Sequence, residues 1–448
     1  METASISLKE LFNSLTIKRH THNRNTTSFE FVPFLGSIFT YEQSHTIPSV
    51  IKQSVHFQSW LNIVKFHFKY EHYQDGNPYK FHKYVPSARG IHPLIPFFIY
   101  KGHLCIYNIV EDNIIYIGFD KEKENEIELI IGIDLWRTCS IYGSFGLALS
   151  LLDLGHVIGS MKIEANGTGQ QLRKVCYMFN RSEYRNKLGL LHPNDIFLGV
   201  KLVFQCNDPV CNDLFVSKRY PYSKKYHYHD ELERIGLMDF IAVMEFSSNT
   251  LIDDQYHWQF PRSLLKTGRE RTSNNSYVGL MDLSKPLKTA AFEQICQVIK
   301  ETKEKILYGY KFRIYFVIQH VIGYEKGLYY LDGDECILRM ATFQLDEFLF
   351  YEKSFFNLQK SPFLLFFSYL VEDYEADHLK IFYSHVLAGE LMQGVSRIVS
   401  HLDMYARPIR NMNDAYIKKV FSLGDKERVI YGLFAGTGNG RSTKIKGD

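Results

Sequence analysis

The sequence predicts an α+β protein made of two similar units in one chain, each a mixed sheet flanked by helices. Three observations predict it. Residues 91–118, IHPLIPFFIYKGHLCIYNIVEDNIIYIG, read as apolar strands joined by tight turns, and residues 312–338, FRIYFVIQHVIGYEKGLYYLDGDECIL, repeat that shape. Residues 147–163 and 382–399 are apolar at helical spacing, and each carries two glycines, Gly155 and Gly159 in one, Gly389 and Gly394 in the other. Each copy then closes with a short polar helix and an apolar strand, RSEYRNKLGLLHPNDIFLGVKLVF and MNDAYIKKVFSLGDKERVIYGLFAG. Duplication is the economical reading.

The elements follow in order. Leu8, Leu11, Phe12 and Leu15 share a helical face behind a Ser7 cap, and no basic segment leads into an apolar run, so a domain-opening helix is expected rather than a targeting signal. In the first repeat Glu111-Asp112-Asn113 is the polar turn after a Tyr-bearing strand; Asp332-Gly333-Asp334 is its counterpart. The small residues of the two apolar helices allow close approach, which makes the pair the expected interface between the units. Residues 206–262, rich in Lys, Tyr, His and Asp, read as a connecting arm with at least one helix. The expected organisation is a first unit over residues 1–205, the arm over 206–262 and a second unit over 263–448, a monomeric pseudo-dimer.

Composition narrows the function classes. With 448 residues, 45% hydrophobic and 23% charged, the chain has no room for a long disordered tail. Its charge balance, 52 − 49 = +3, does not argue for a nucleic-acid partner. Seven scattered cysteines give neither a disulfide framework nor a zinc cage. The most apolar stretch, residues 362–371, falls short of the roughly 18–20 residues of a membrane span. A cytoplasmic protein without a membrane or metal role is expected.

Four segments carry candidate chemistry. Pro86-Ser87-Ala88, followed by Arg89 and Gly90, is a turn able to present backbone N–H groups to a planar or anionic ligand. Arg269-Glu270-Arg271-Thr272-Ser273 combines two cations with hydroxyls, a set suited to a phosphate. Tyr405-Ala406-Arg407-Pro408-Ile409-Arg410 lies in a turn after the second glycine-bearing helix, and Arg441 and Lys444 belong to a glycine-rich tail. His92 and His156 read as core histidines. The cluster Tyr226-His227-Tyr228-His229-Asp230 lacks a third ligand in range and reads as arm surface, suited to touching a peptide.

The order of these segments is what persuades. "VPSARGIHPL", "LCIYNIVEDNIIYIG" and "ALSLLDLGHVIG" in the first unit, and "RERTSNNSY", "GLYYLDGDECIL", "VLAGELMQGV", "ARPIRNMND" and "VIYGLFAG" in the second, resemble the nitroreductase fold, in particular the SagB-type azoline dehydrogenases that aromatise peptide thiazolines and oxazolines. The resemblance implies two nitroreductase-like α/β units fused as an intramolecular pseudo-dimer with FMN between them. It implies that Arg269, Arg271, Thr272 and Ser273, with Arg407, Pro408, Ile409, Arg441 and Lys444, hold the cofactor from the second unit, and that Pro86, Ser87 and Ala88 flank its ring from the first. These parts occur once each, so one composite site is expected. The family's Lys-Tyr pair falls on Ile141-Tyr142: Tyr142 is the catalytic candidate, and the missing cation leaves room for Lys83 or Lys101. The implied partners are a precursor peptide and a cyclodehydratase complex, as in microcin or thiopeptide pathways. A small-molecule nitro or quinone reductase and a catalytically degraded scaffold that binds peptide or partner stay open as alternatives.

Overall fold

Period-two alternation with apolar residues on both faces makes strands that are covered twice, and this chain has two sheets of that kind. The computed structural model describes residues 54–70, 72–73, 81–109, 112–120, 127–168, 172–177, 188, 196–205, 252–254, 286–306, 311–332, 335–340, 342–349, 358–371, 378–436 and 445–446. The order is helix α1 (Val55–Phe68), strands β1 (His72–Tyr73), β2 (Phe81–His82), β3 (Leu94–Tyr100), β4 (His103–Asn108), β5 (Asn113–Phe119) and β6 (Ile127–Ile133), helices α2 (Leu135–Tyr142) and α3 (Phe145–Thr168), and strands β7 (Leu172–Tyr177) and β8 (Phe197–Phe204). After β9 (Ile252–Asp254) come α4 (Thr289–Ile306), β10 (Phe312–Ile318), β11 (Gly327–Asp332), β12 (Glu335–Met340), β13 (Phe363–Leu370), α5 (His378–His401), β14 (Tyr405–Ile409), α6 (Asp414–Val420), β15 (Glu427–Gly436) and β16 (Ile445–Lys446).

The two sheets run β5-β4-β3-β6-β8-β7-β9 and β12-β11-β10-β13-β15-β14. Six strands correspond one to one, so the repeat seen in the sequence is a repeat of topology. Every described strand pairing in the two sheets is antiparallel where mixed sheets were expected, and tight hairpins such as β3–β4 and β11–β12 permit no other sense for their own strands. The expected turns 111–113 and 332–334 do close hairpins, with Asn108 opposite Asn113 and Asp332 opposite Glu335. Strand β9, from the end of the expected arm, lies outside β7 in the first sheet; the arm's expected helix and the boundaries at 205/206 and 262/263 lie largely outside the described residues. The opening helix with Leu8 lies outside them as well.

One core serves both units. In β3, Phe98 and Tyr100 face it while Ile95, Phe97 and Ile99 face a smaller apolar cluster on the other side; in β10, Phe312, Ile314 and Phe316 face it while Tyr315 and Val317 turn away. Helices α3 and α5 run through its centre. A methyl group on Gly155 would overlap the Val386 carbonyl oxygen and lie 2.9 Å from the Gly389 Cα, and one on Gly389 would overlap the Leu152 carbonyl. Backbone therefore meets backbone, as the glycines predicted.

Around this crossing, His156 Nδ1–H donates to Gln393 Oε1 and the Tyr431 hydroxyl donates to His156 Nε2, each at 2.9 Å. Lys162 pairs with Glu390 at 2.6 Å and Glu164 with Arg397 at 2.8 Å. These contacts span 237, 228 and 233 residues, the near-constant offset of two helices running in the same general direction. His156 is thus the satisfied core histidine expected of it. By length and composition, residues Phe145–Ala165 of α3 suffice to cross a membrane, yet they are buried throughout; the stretch 362–371 singled out in the sequence forms the central strand β13 instead.

The units are joined at a second place. β16 pairs with β1, Ile445 opposite Tyr73, and β1 pairs with β2, forming a three-stranded sheet that ties the chain's last described residues to the first unit.

Gly155→Ala is expected to cost about 3 kcal/mol, at the upper end of overpacking penalties, because backbone atoms cannot rotate aside. Gly424→Ala, with nothing within 4 Å of the new methyl, should stay within about 0.5 kcal/mol. Urea denaturation of both variants measures the difference.

Candidate active site

The turn between β2 and β3 is a strained piece of backbone. Arg89, Gly90 and His92 have φ of 50°, 63° and 49°, a left-handed conformation that costs a non-glycine residue about 1 kcal/mol or more. Residues Pro86 to Gly90 are half-buried. Ser87 holds the turn in place: its Oγ donates to Asp153 Oδ2 at 2.5 Å and accepts the His92 N–H at 2.9 Å. The Ala88 N–H also serves the Asp153 carboxyl, while the Gly90 and Ile91 N–H groups close on the carbonyls of Ser87 and Ala88 at 3.1 Å. The expected cradle of free donors is therefore corrected, since these N–H groups fix the turn, which presents its half-buried outer surface.

Beneath the turn lies a buried polar cluster. Asp153 is the lone carboxylate in the apolar run of α3 and is 5% exposed; Lys83 is 6% exposed, with Nζ 4.8 Å from the Tyr70 ring centroid. Arg137, from α2, donates to the His92 carbonyl at 3.3 Å and hydrogen-bonds the Tyr70 hydroxyl. Desolvation pushes the Asp153 carboxyl up to about 8, against the Ser87 and Ala88 hydrogen bonds and the attraction of Lys83. Burial likewise drives the Lys83 ammonium well below the ordinary lysine value, helped by repulsion from Arg137 and opposed by Asp153. Burial thus favours the neutral form of each group, and each group's charge opposes that effect on the other.

Tyr142 ends α2, half-buried, with the Arg89 guanidinium 5.3 Å from its ring centroid. Ile141 is buried. The cation missing beside Tyr142 in the sequence thus arrives from the Pro86–Gly90 turn. Lys101 is ruled out: it sits in the hairpin beyond the far end of seven-residue β3, about 20 Å of extended strand from the turn.

From the second unit, residues 405–409 form edge strand β14, hydrogen-bonded to β15, rather than the expected turn. Proline is tolerated there because β14 is the last strand of the described sheet, where an N–H turned away from β15 is not needed by the ladder. Arg407 and Pro408 are half-buried, whereas the Ile409 side chain belongs to the outer apolar cluster, leaving only its backbone for a ligand. The next residue, Arg410, pairs with Asp414 at 3.0 Å and places its guanidinium 5.4 Å from the ring centroid of Phe145, the first residue of α3. Ser87 and Arg410 are thus anchored on one helix, at Asp153 and Phe145, about 12 Å apart along its axis. Arg269, Arg271, Thr272, Ser273, Arg441 and Lys444 lie outside the described residues, as do His227 and His229. Among the described residues no group of three or more His, Cys, Asp or Glu is placed to hold a metal.

A protein of Anabaena variabilis described as a candidate nitroreductase superposes with a TM-score of 0.69 over 97% of this chain and 100% of its own, at 15% identity. The chain has a nitroreductase fold. Fragmentary likenesses extend to the E. coli microcin synthetase McbBCD complex with truncated pro-MccB17 bound (12% identity, 41% of this chain and 74% of that one, TM-score 0.31) and to a candidate nitroreductase of Ralstonia eutropha (16%, 35% and 76%, 0.29), both too low in score to bear on function. No family model and no curated protein matches the sequence. On this nitroreductase fold, the sequence reading overlooked Asp153 and Arg137, whereas Arg410 stood at the end of its third candidate segment. A single charge within LALSLLDLGHVIG was the available signal for the first.

Asp153, raised from 3.8 to about 8, keeps in the folded state a proton that the unfolded chain releases. Its contribution to stability is complete below about pH 4 and is lost as pH rises through about 8. Relative to Asp153→Asn, the wild-type protein should therefore lose stability across that window, with a slope of at most about 1.4 kcal/mol per pH unit. Denaturation at stepped pH tests this, and parallel curves would refute a protonated Asp153.

Proposed function

We propose that this chain is an FMN-dependent oxidoreductase that dehydrogenates thiazoline and oxazoline rings of a ribosomally made peptide, acting in the cytoplasm beside a cyclodehydratase complex. The supporting observation is the anchoring of the first unit's Pro86–Gly90 turn and the second unit's β14 on the same stretch of α3. The motif resemblance supplies the reaction class. The proposed division is a first unit over 1–205, an arm over 206–262 and a second unit over 263–448.

The described residues fit the ring end of a flavin: a strained half-buried turn at Pro86, Ser87 and Ala88, an aromatic residue at Tyr142, and half-buried Arg407 and Pro408 on the last strand of the described sheet. Bound FMN would supply hydride acceptance from the azoline carbon. Arg269, Arg271, Thr272, Ser273, Arg441 and Lys444 are assigned to its phosphate end and the Ile409 backbone to its edge. Lys83, whose ammonium form burial disfavours, is assigned to take the ring proton in place of the family's lysine, with Tyr142 between it and the substrate and Asp153 holding the exchangeable proton.

Purified protein should carry a flavin spectrum or acquire one on reconstitution with FMN; a protein that stays colourless refutes the cofactor. Arg271→Ala should weaken flavin retention. Tyr142→Phe and Lys83→Met should retain flavin while slowing azoline turnover about 100-fold or more, the usual scale of a lost acid-base group. Bleaching of the flavin by NAD(P)H without peptide turnover would indicate a small-molecule reductase instead.

A further inference from the structure

A second reactive site lies apart from the buried turn cluster. Cys296, on α4, and Cys336, on β12, bring their sulfur atoms to 3.8 Å across forty residues of chain. Cys296 is buried in the central core, while Cys336 is half-buried on the strand at the sheet's edge, opposite Leu331. One thiol is thus sheltered and its partner reachable. Lys300, one helical turn after Cys296, adds positive charge to the pair.

We propose that Cys336 and Cys296 form a hydroperoxide-sensitive thiol pair that closes to a disulfide joining α4 to the outer hairpin. The Cys336 thiolate attacks the peroxide, the O–O bond breaks, and a sulfenic acid forms with release of water or an alcohol. The Cys296 sulfur then displaces hydroxide, which leaves as water with the Cys296 proton. Two thiols and one hydroperoxide give one disulfide, one alcohol or water, and one water. Both sulfurs are oxidised and the peroxide is reduced by two electrons.

The arrangement assigns the roles. The hydrogen bond from the Cys296 thiol holds Cys336 below the ordinary cysteine value, with Lys300 assisting against desolvation, and the same contact raises Cys296. The attacking group is therefore the reachable one. Cys105, Cys139 and Cys176 are buried, and burial pushes the Cys105 and Cys139 thiols up, to about 12 for Cys139, which leaves them unreactive. Closing from 3.8 Å to the bond length of about 2.05 Å requires only local movement of the two side chains and the edge strand.

The test uses the whole wild-type chain and hydrogen peroxide. After brief oxidation, alkylation of remaining thiols and proteolysis, mass spectrometry should find Cys296 and Cys336 in one linked peptide pair lacking two hydrogens. Reduction should reverse it, and the oxidised protein should melt about 5 °C higher than the reduced one. Cys296→Ser should leave a sulfenic acid on Cys336 that dimedone traps, and Cys336→Ser should leave Cys296 unoxidised. Free alkylation of both thiols in oxidised, folded wild-type protein overturns the proposal. So does linkage of Cys336 to Cys206 or Cys211. None of these readouts depends on flavin.

Discussion

Two polypeptide backbones touching at Gly155 and Gly389 set the geometry of the rest of the molecule. With any larger residue there, α3 and α5 would stand apart, and the reach from Lys162 to Glu390 or from His156 to Gln393 would be lost. Those polar contacts are costly unless complete, since a buried ion pair returns little net stability while a broken one costs about 3–5 kcal/mol. Their value lies in register: only one sliding position of α5 along α3 satisfies the ammonium, the carboxylates and the imidazole together. Register in turn decides where Asp153 and Phe145 stand, and hence where the two units bring their loops.

The candidate site combines strain with burial. Left-handed residues at Arg89 and His92 store unfavourable conformational energy, which the Ser87–Asp153 contact and the Arg137 clasp on the His92 carbonyl offset. Asp153 and Lys83 share a dry environment that disfavours the charged form of each, and the charge of either one would offset that cost for the other.

Much of the architecture was legible in the sequence because duplication writes each signal twice. The strand pairs, the glycine-bearing helices and the closing helix-strand all recur, and each recurs in the same spatial place. Strand sense was misjudged, since periodicity marks a strand without saying which way its neighbour runs. Strand β14 was read as a turn after the helix, although the outermost strand of a sheet also accommodates a residue such as Pro408. The site was legible only in part. Pro86-Ser87-Ala88 and Tyr142 stand out as residue types in order, but the coupling of Lys83 with Asp153 joins positions seventy residues apart and arises from burial that no local pattern encodes. Arg89 supplies a cation to Tyr142 from a different segment, so inspecting the residue next to the tyrosine could not find it.

The short sheet of β16, β1 and β2 has a consequence for how the chain is made. Its outer strand comes from near residue 445 and its other two from before residue 83, so no ribosome can release a nascent chain with that sheet complete until almost all of both units has emerged. The stretch entering the Lys83 and Ser87 segment must wait, unpaired along one side of β1, for Ile445 and Lys446. Ordering of the strand that leads toward the proposed catalytic turn is thereby tied to residues translated long after it.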